Sequence, residues 1–316
     1  MAQGLSVLFV VDPIDGLKEY KDSSVAMMRE LSARGHDVWC ATMPDFGWFD
    51  GRVVARAQLL AVDAGEAWYE VRESATQELA AFDAVLMRKD PPFDLEYLYA
   101  TFLLEAAQRQ GARVFNDPRA LRDHNEKFAI TEFTEFTVPT IVTRDADAIR
   151  SFQREQGEIV VKPLDGMGGM SVFRLGAGDP NINVILETIT EFGRRTVMAQ
   201  RYIPAIREGD KRVLLIAGAP VPYVLARIPK PGESRGNLAA GGIGRAQPLA
   251  EADRDIAAAL GPKLAQRGLL LVGLDVIGEH LTEINVTSPT CFVEITQQTG
   301  FNVAGMFVDA LEKGLK

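Results

Sequence analysis

With 316 residues the chain is long for one compact core, so two or three lobes are expected. Hydrophobic content of 47% and charged content of 24% fit an ordinary globular protein and exclude a disordered one. A formal charge of −9 argues against a general nucleic-acid binder, whose phosphate contacts need a basic face, so any anionic ligand must be met locally.

Only Cys40 and Cys291 are present, far apart, in a chain that starts without a charged, apolar and cleavable leader; a reduced cytoplasm is the expected setting. No apolar run approaches the roughly 20 residues needed to span a bilayer, and the strongest, near Gly268 to Leu274, ends in Asp275.

Leu5 to Val11 is a continuous apolar run ending at Asp12 and predicts a buried strand. Asp22 to Arg34 has helical spacing and stops at Gly35, and Asp37 to Ala41 is the next strand, so the chain opens as a βαβ unit of a three-layer α/β lobe. The residues after Asp12 are Pro13, Ile14 and Asp15, without the glycine fingerprint of a dinucleotide fold, which disfavours a nicotinamide cofactor.

The strand Ala84 to Arg88 runs into Lys89, Asp90, Pro91 and Pro92. Arg88 and Asp90 therefore sit at a strand's carboxyl end, where open α/β sheets face their ligand, although a solvated, proline-stiffened loop reads equally well. A helix from Leu95 to Gln110, a short strand Arg113 to Phe115 and a turn at Asn116 to Pro118 follow. Asp123 or Asn125 caps the helix expected to carry Lys127.

Glu158 to Lys162 is β-rich, Pro163 is expected to end the ladder, and the glycine loop Asp165 to Gly169 precedes a strand Ser171 to Leu175. A Walker loop would carry its lysine after the glycines. Here Lys162 comes before them, able to reach phosphate oxygens while Gly166, Gly168 and Gly169 let backbone N–H groups close over them. Such glycines also mark plain hairpins.

Thr196 to Gln200 is a strand leading into Arg201, Tyr202 and Ile203, whose backbone suits an adenine edge but is equally a core strand and turn. Asp210, Lys211 and Arg212 precede strands Val213 to Ala217 and Tyr223 to Arg227. The long polar loop 228–245 contains Arg235 and Asn237 and reads as a lid or a disordered segment.

After a helix from Asp253 to Gln266, strands Leu271 to Ile277 and Leu281 to Val286 flank a three-residue turn at Gly278, Glu279 and His280. Direct pairing then brings Asp275 to the face shared by Glu283 and Asn285, a hard-oxygen set that suits magnesium beside nucleotide phosphates. A wet, charged hairpin face is the alternative, and a two-residue turn would send Asp275 to the opposite face. Ser288 and Thr290 follow, with hydroxyls suited to an anion, and a last helix runs from Val303 to Leu315.

KDSS at 21–24, MRKDPPFD at 87–94, NEK at 125–127, KPLDGMGG at 162–169, GDKRV at 209–213, RGNLAAGG at 235–242 and LTEINVTSPT at 281–290 lie in one order along the whole chain. Together they resemble bacterial glutathione synthetases of the ATP-grasp superfamily. Pro231, where glycine is expected, and Val293, where a basic residue is expected, depart from the pattern.

The resemblance implies an α/β ATP-grasp fold: an N-terminal three-layer α/β substrate lobe (1–123), a small lid subdomain (124–203) and a large subdomain (204–316), the last two clamping the nucleotide. It implies an ATP-dependent carboxylate–amine ligase that joins L-γ-glutamyl-L-cysteine to glycine. Lys127 and Lys162 would hold phosphates, Gln200, Arg201, Tyr202 and Ile203 the adenine, and Asp210 the ribose. Asp275, Glu283 and Asn285 would hold two magnesium ions, with manganese a substitute. Arg212, Arg227, Arg235 and Asn237 would meet the acyl phosphate and the substrate carboxylates, with Arg212, Arg235 and Lys162 as the catalytic set. A homotetramer acting on small molecules, without nucleic acid or membrane, is also implied. A D-alanine ligase of the same fold and a noncatalytic nucleotide-binding regulator are the rivals.

Overall fold

A computed structural model describes residues 4–232, 236–238 and 241–316, which are arranged on three sheets. In the first, the parallel strands Asp37–Ala41, Ser6–Val10, Ala84–Met87 and Val114–Phe115 lie side by side. Their apolar runs are buried on both faces, as a parallel sheet covered by helices requires. Helix Ser23–Ala33 starts at Asp22, whose Oδ1 accepts from the amides of Ser24 (2.7 Å) and Val25 (3.1 Å).

Between Ala41 and Ala84, where the sequence pattern suggests no element, three antiparallel strands extend this sheet: Phe46–Phe49, Arg52–Val62 and Tyr69–Glu78. Only one side of Arg52–Val62 is regularly buried, and Tyr69–Glu78 is mostly exposed, so the hydrophobic signal is weak.

The second sheet orders Phe173–Leu175, Ile159–Pro163, Val197–Arg201 and Thr140–Thr143, all antiparallel. Helices Ala146–Gln156 and Ile182–Ile189 close over it, with a separate core that includes Ile149, Val161, Leu186 and Val197. Pro163 does not stop short of the ladder: it is the strand's last residue, opposite Val197, where its missing N–H costs at most one terminal bond.

The third sheet runs Ile243–Pro248, Ala219–Ile228, Asp210–Ile216, Leu271–Ile277 and His280–Asn285, again antiparallel. Alternation divides its residues between two cores. Val213 and Leu215 pack with Ile256, Leu260 and Leu264 of helix Glu251–Gln266, and Leu214 and Ile216 pack with Phe292 and Phe307 of helices Phe292–Thr299 and Val303–Gly314. Strand Asp210–Ile216 begins earlier than its apolar run, because Asp210 and Arg212 lie within the ladder as buried, paired charges.

Both cores also contain first-sheet residues, so these two sheets form one body. Asn116 fastens them: Nδ2 donates to the carbonyls of Leu271 (2.8 Å) and Val286 (2.7 Å), and Oδ1 accepts from the Leu271 amide (2.9 Å).

Candidate active site

The acidic hairpin turns on two residues, Gly278 and Glu279, and not on three. Regular pairing would then set Asp275 against Thr282 and turn Glu283 to the other face. A β-bulge at Thr282 restores the register: Val276 pairs with Leu281, but Asp275 pairs with Glu283 and Gly273 with Asn285. The bulge is held from both sides, since Thr282 Oγ1 donates to the Asp275 carbonyl (3.1 Å) and the Thr282 carbonyl accepts from Lys162 Nζ (3.1 Å).

Cross-strand pairing of Arg212 with Asp275, and of Asp210 with Arg227, brings four buried charges to the same sheet face as Glu283 and Asn285. Arg212 Nε lies 2.6 Å from Asp275 Oδ1, and Arg227 Nη2 lies 2.8 Å from Asp275 Oδ2 and 2.6 Å from Asp210 Oδ2. Burial opposes ionisation of Asp275, yet the two arginines hold its carboxyl below the usual range. Asp210 has only one of them, and burial pushes it up to about 6. Lys211, one residue over, points to the opposite face and pairs with Asp253 under the helix Glu251–Gln266, outside the site.

Glu283 is met by Lys162 (3.3 Å) and Lys127 (3.8 Å). Burial lowers the Lys162 ammonium from its ordinary value, with Glu283 pulling the other way. The Asn285 amide is oriented by Nδ2 donating to the Gly273 carbonyl (3.0 Å), which leaves Oδ1 as its acceptor. Lys127 does not lie within a long helix. It follows Asn125, whose Oδ1 accepts from the amides of Lys127 and Phe128, and precedes the 3₁₀ turn Phe128–Glu132.

A cleft open to solvent separates the second sheet from the third. One wall carries Lys162, Gly166, Gly168 and Gly169; the opposite wall carries Asp210, Asn237, Asp275 and Glu283. Gly168 and Gly169 have φ of 62° and 79°, and a Cβ on Gly166 would come 2.8 Å from Pro163 Cγ, so the loop's path requires glycine. Lys127 Nζ donates to the Gly166 carbonyl and ties the loop to the hairpin.

At the far end of the cleft, Gln200, Arg201, Tyr202 and Ile203 line the wall. The amides of Arg201 and Tyr202 are taken by the carbonyls of Pro139 (3.0 Å) and Glu158 (2.8 Å), and Gln200 Nε2 donates to Thr140 Oγ1 (3.1 Å). Arg174 stacks on the Tyr202 ring at 3.9 Å and forks onto Glu158, an aromatic support that nothing in the local pattern signals.

A second cluster lies where the first sheet meets the third. Arg88 Nη2 donates to the Pro289 carbonyl (3.0 Å), Ser288 Oγ to Asp90 Oδ1, and the Asp90 amide to Asp12 Oδ2 (3.1 Å). Arg88 is thus buried at a lobe junction, whereas Asp90 stays exposed at its edge and Thr290 is exposed beside them. Arg235 lies outside the described residues.

Glu126 carries more of the site than its sequence suggests. Its Oε1 accepts from the amides of Val286 (3.1 Å) and Thr287 (3.3 Å) and from Thr287 Oγ1 (2.8 Å), while its carbonyl accepts from the Ile284 amide (2.8 Å). It fixes both flanks of Asn285. An acid between asparagine and lysine reads as a solvated cap, so only the NEK triplet as a unit could have pointed to it.

The residues fit a nucleotide with a divalent cation. Asp210 Oδ1 is a buried acceptor without a partner beside the cleft, and the glycine loop is a cradle that side chains would fill. Asp275, Glu283 and Asn285 supply the hard oxygens of a magnesium site. Their carboxylates are engaged by arginine and lysine here, and no cluster of three acidic, histidine or cysteine side chains arranged for a metal occurs among the described residues.

Residues 5–122 match the family described as prokaryotic glutathione synthetase, N-terminal domain, and residues 126–300 match prokaryotic glutathione synthetase, ATP-grasp domain. The chain is 61% identical over 310 residues to the glutathione synthetase of Ralstonia nicotianae, covering 98% of this chain and 96% of that one. Among solved structures, ATP-grasp ligase PsnB complexed with minimal precursor aligns with TM-score 0.65 at 20% identity, covering 99% of each chain. D-alanyl-alanine synthetase A from Vibrio cholerae aligns with TM-score 0.59 at 14% identity, covering 100% and 99%. The fold is ATP-grasp.

Proposed function

The chain belongs to the prokaryotic glutathione synthetase family, and we propose that the cleft between its second and third sheets is where it joins L-γ-glutamyl-L-cysteine to glycine at the expense of ATP. It is an ATP-dependent carboxylate–amine ligase. The observation that carries the site assignment is the shared face: Asp275, Glu283 and Asn285 lie beside Arg212, directly across the cleft from Lys162 and the glycine loop.

In this reading residues 1–123 present the dipeptide, 124–203 form the lid subdomain and 204–316 the large subdomain. Lys127, Lys162 and the amides at Gly166, Gly168 and Gly169 hold phosphates; Gln200 to Ile203 border the adenine, and Asp210 accepts from the ribose. A carboxylate is a poor electrophile until one oxygen becomes a leaving group, which phosphoryl transfer from ATP supplies as an acyl phosphate. Asp275, Glu283 and Asn285 would hold magnesium, with manganese a substitute, and the metal would add positive charge at the transferred group.

Lys162 and Arg212 place fixed cations where negative charge develops, in a setting dry enough to make them effective. Arg212 needs no reorganisation, because Asp275 already holds its guanidinium edge. Arg227, Asn237, Ser288 and Thr290 meet substrate carboxylates, and the 228–245 segment, with Arg235, shields the acyl phosphate from water. Cys40 and Cys291 are both buried, burial raises both thiols, and neither serves as a nucleophile. Family membership supports a cytoplasmic homotetramer.

The test is phosphate release from ATP and magnesium with γ-glutamylcysteine, with and without glycine, beside a D-alanine control. Release that requires both γ-glutamylcysteine and glycine is expected; release with D-alanine alone overturns the substrate reading.

A further inference from the structure

Helix Leu95–Arg109 carries apolar residues on two faces. Tyr97, Ala100, Leu104 and Ala107 pack into a core shared by the first and third sheets. Leu95, Tyr99 and Phe102 are instead 65%, 53% and 48% exposed, although their spacing of four and three residues is that of a packed helical seam. A helix that is apolar on both sides is ordinarily covered on both.

Trp48 widens the uncovered face. It lies on the edge strand Phe46–Phe49 opposite Val53, and Val53 is buried in the same core as Tyr97, so the register puts Trp48 on the helix's side of the sheet. Gln110, just past the helix, fastens this strand pair: its Oε1 accepts from the Val53 amide (3.0 Å) and its Nε2 donates to the Gly51 carbonyl (2.8 Å). Trp48 is nonetheless 53% exposed. Large apolar side chains gathered on adjoining elements mark an interaction surface, whereas single exposed ones do not.

The charges at the two ends of the helix select what covers it. The first turn carries Glu96 and the last turn Arg109. Glu105 accepts from Arg109 (3.2 Å), Arg119 (2.8 Å) and Arg122, so one carboxylate meets three guanidinium groups and this end of the helix stays basic. The Arg109 side chain remains 64% exposed.

We propose that this face binds the same face of a second copy of the chain, with the two helices antiparallel across a two-fold axis near Phe102. Glu96 and Arg109 lie six and seven residues to either side of Phe102, so each Glu96 comes opposite the partner's Arg109. The opposed helix dipoles favour the same arrangement. All of these residues lie outside the cleft, so the inference does not depend on the ligase reading, and it holds for a dimer or for a tetramer with two-fold symmetry.

The test combines cross-linking with mass. Cys40 and Cys291 are buried, so Phe102→Cys adds the single exposed thiol. Mild oxidation should convert most of that variant to a covalent dimer, because a two-fold axis at this position brings the two Cα atoms within about 7 Å. Phe192→Cys, 76% exposed on the second-sheet body, should stay uncross-linked. In sedimentation equilibrium, Glu96→Arg and Arg109→Glu should each raise the concentration at which copies separate by about 10-fold, and the chain carrying both changes should return to the wild-type value, since every exchanged charge again faces its opposite. Wild-type protein that sediments as a single chain at every concentration overturns the proposal. So do equal cross-linking of the two cysteine variants, no cross-link at position 102, or a double reversal no better than the single ones.

Discussion

The charges on the third sheet's face are not interchangeable. Asp275 shares both of its oxygens with arginines and is 2% exposed, whereas Glu283 meets lysines at longer range and keeps a partly open edge. Asp275→Asn would strip a buried charge from Arg212 and Arg227, a change that typically costs about 3–5 kcal/mol when one partner of a buried pair is removed. Glu283→Gln keeps an acceptor for Lys162 and is the cleaner probe. It should lower turnover by about 100-fold or more and weaken the magnesium response, with a smaller fall in melting temperature than Asp275→Asn; normal turnover with an unshifted metal titration would remove Glu283 from the metal site. Asp210 offers a test of sign. Its folded value is raised to about 6 from 3.8, so its contribution to stability is complete below the unfolded value and is lost as pH rises through about 6. Wild-type stability relative to Asp210→Asn should therefore decline between about pH 4 and pH 7, as read from melting temperatures at each pH. A flat difference would mean that Arg227 keeps Asp210 ionised throughout. Asp275, shifted the opposite way, loses its contribution only below the ordinary carboxylate range and does not disturb that window.

At the scale of elements, the legible parts are those where one physical signal acts alone. The apolar run at Ser6–Val10, the glycines that permit the 166–169 path and the long amphipathic helices follow directly from residue type. The pairing of Asp275 with Glu283 was also legible, but by way of a turn one residue too long. The bulge that corrects it falls on a β-branched threonine that looks at home in a regular strand. Glu126 was illegible for a different reason: its burial depends on Val286 and Thr287, some 160 residues away, and nothing local marks it. The 228–245 segment is shorter as a loop than its polarity suggests, because Ile228 pairs with Ile243 and starts a hairpin arm. Within it Gly236 approaches the Arg227 carbonyl so closely that a Cβ would lie 2.2 Å away, and Gly236 also lines the cleft. Gly236→Ala should thus lift the segment off the site. The expected result is more phosphate released than peptide formed, measured on the same reaction, because water then reaches the acyl phosphate; a ratio that stays at one would deny the segment its shielding role.

Across the whole molecule the hydrophobic cores divide unevenly, and that division predicts how the enzyme responds to nucleotide. The first and third sheets share two cores and are pinned by Asn116, whereas the second sheet has its own core around Ile149, Val161 and Leu186 and reaches the larger shared core through Met198. The cleft runs between these two bodies, crossed by Lys162 to the Thr282 carbonyl and by Lys127 to the Gly166 carbonyl. Bodies with largely separate cores, joined by polar contacts and by the apolar contact of Met198, are expected to move against one another, since little apolar packing resists the motion. A nonhydrolysable ATP analogue with magnesium should accordingly slow amide exchange at residues 166–170 and 200–203, which face the cleft from the second body. The buried strand Ser6–Val10 should exchange at an unchanged rate, because the ligand touches neither it nor its neighbours in the sheet. Uniform protection across both bodies would indicate global stabilisation by mass action alone. No protection at the glycine loop would mean that the phosphates are held by Lys127 and Lys162 without closure of the backbone over them.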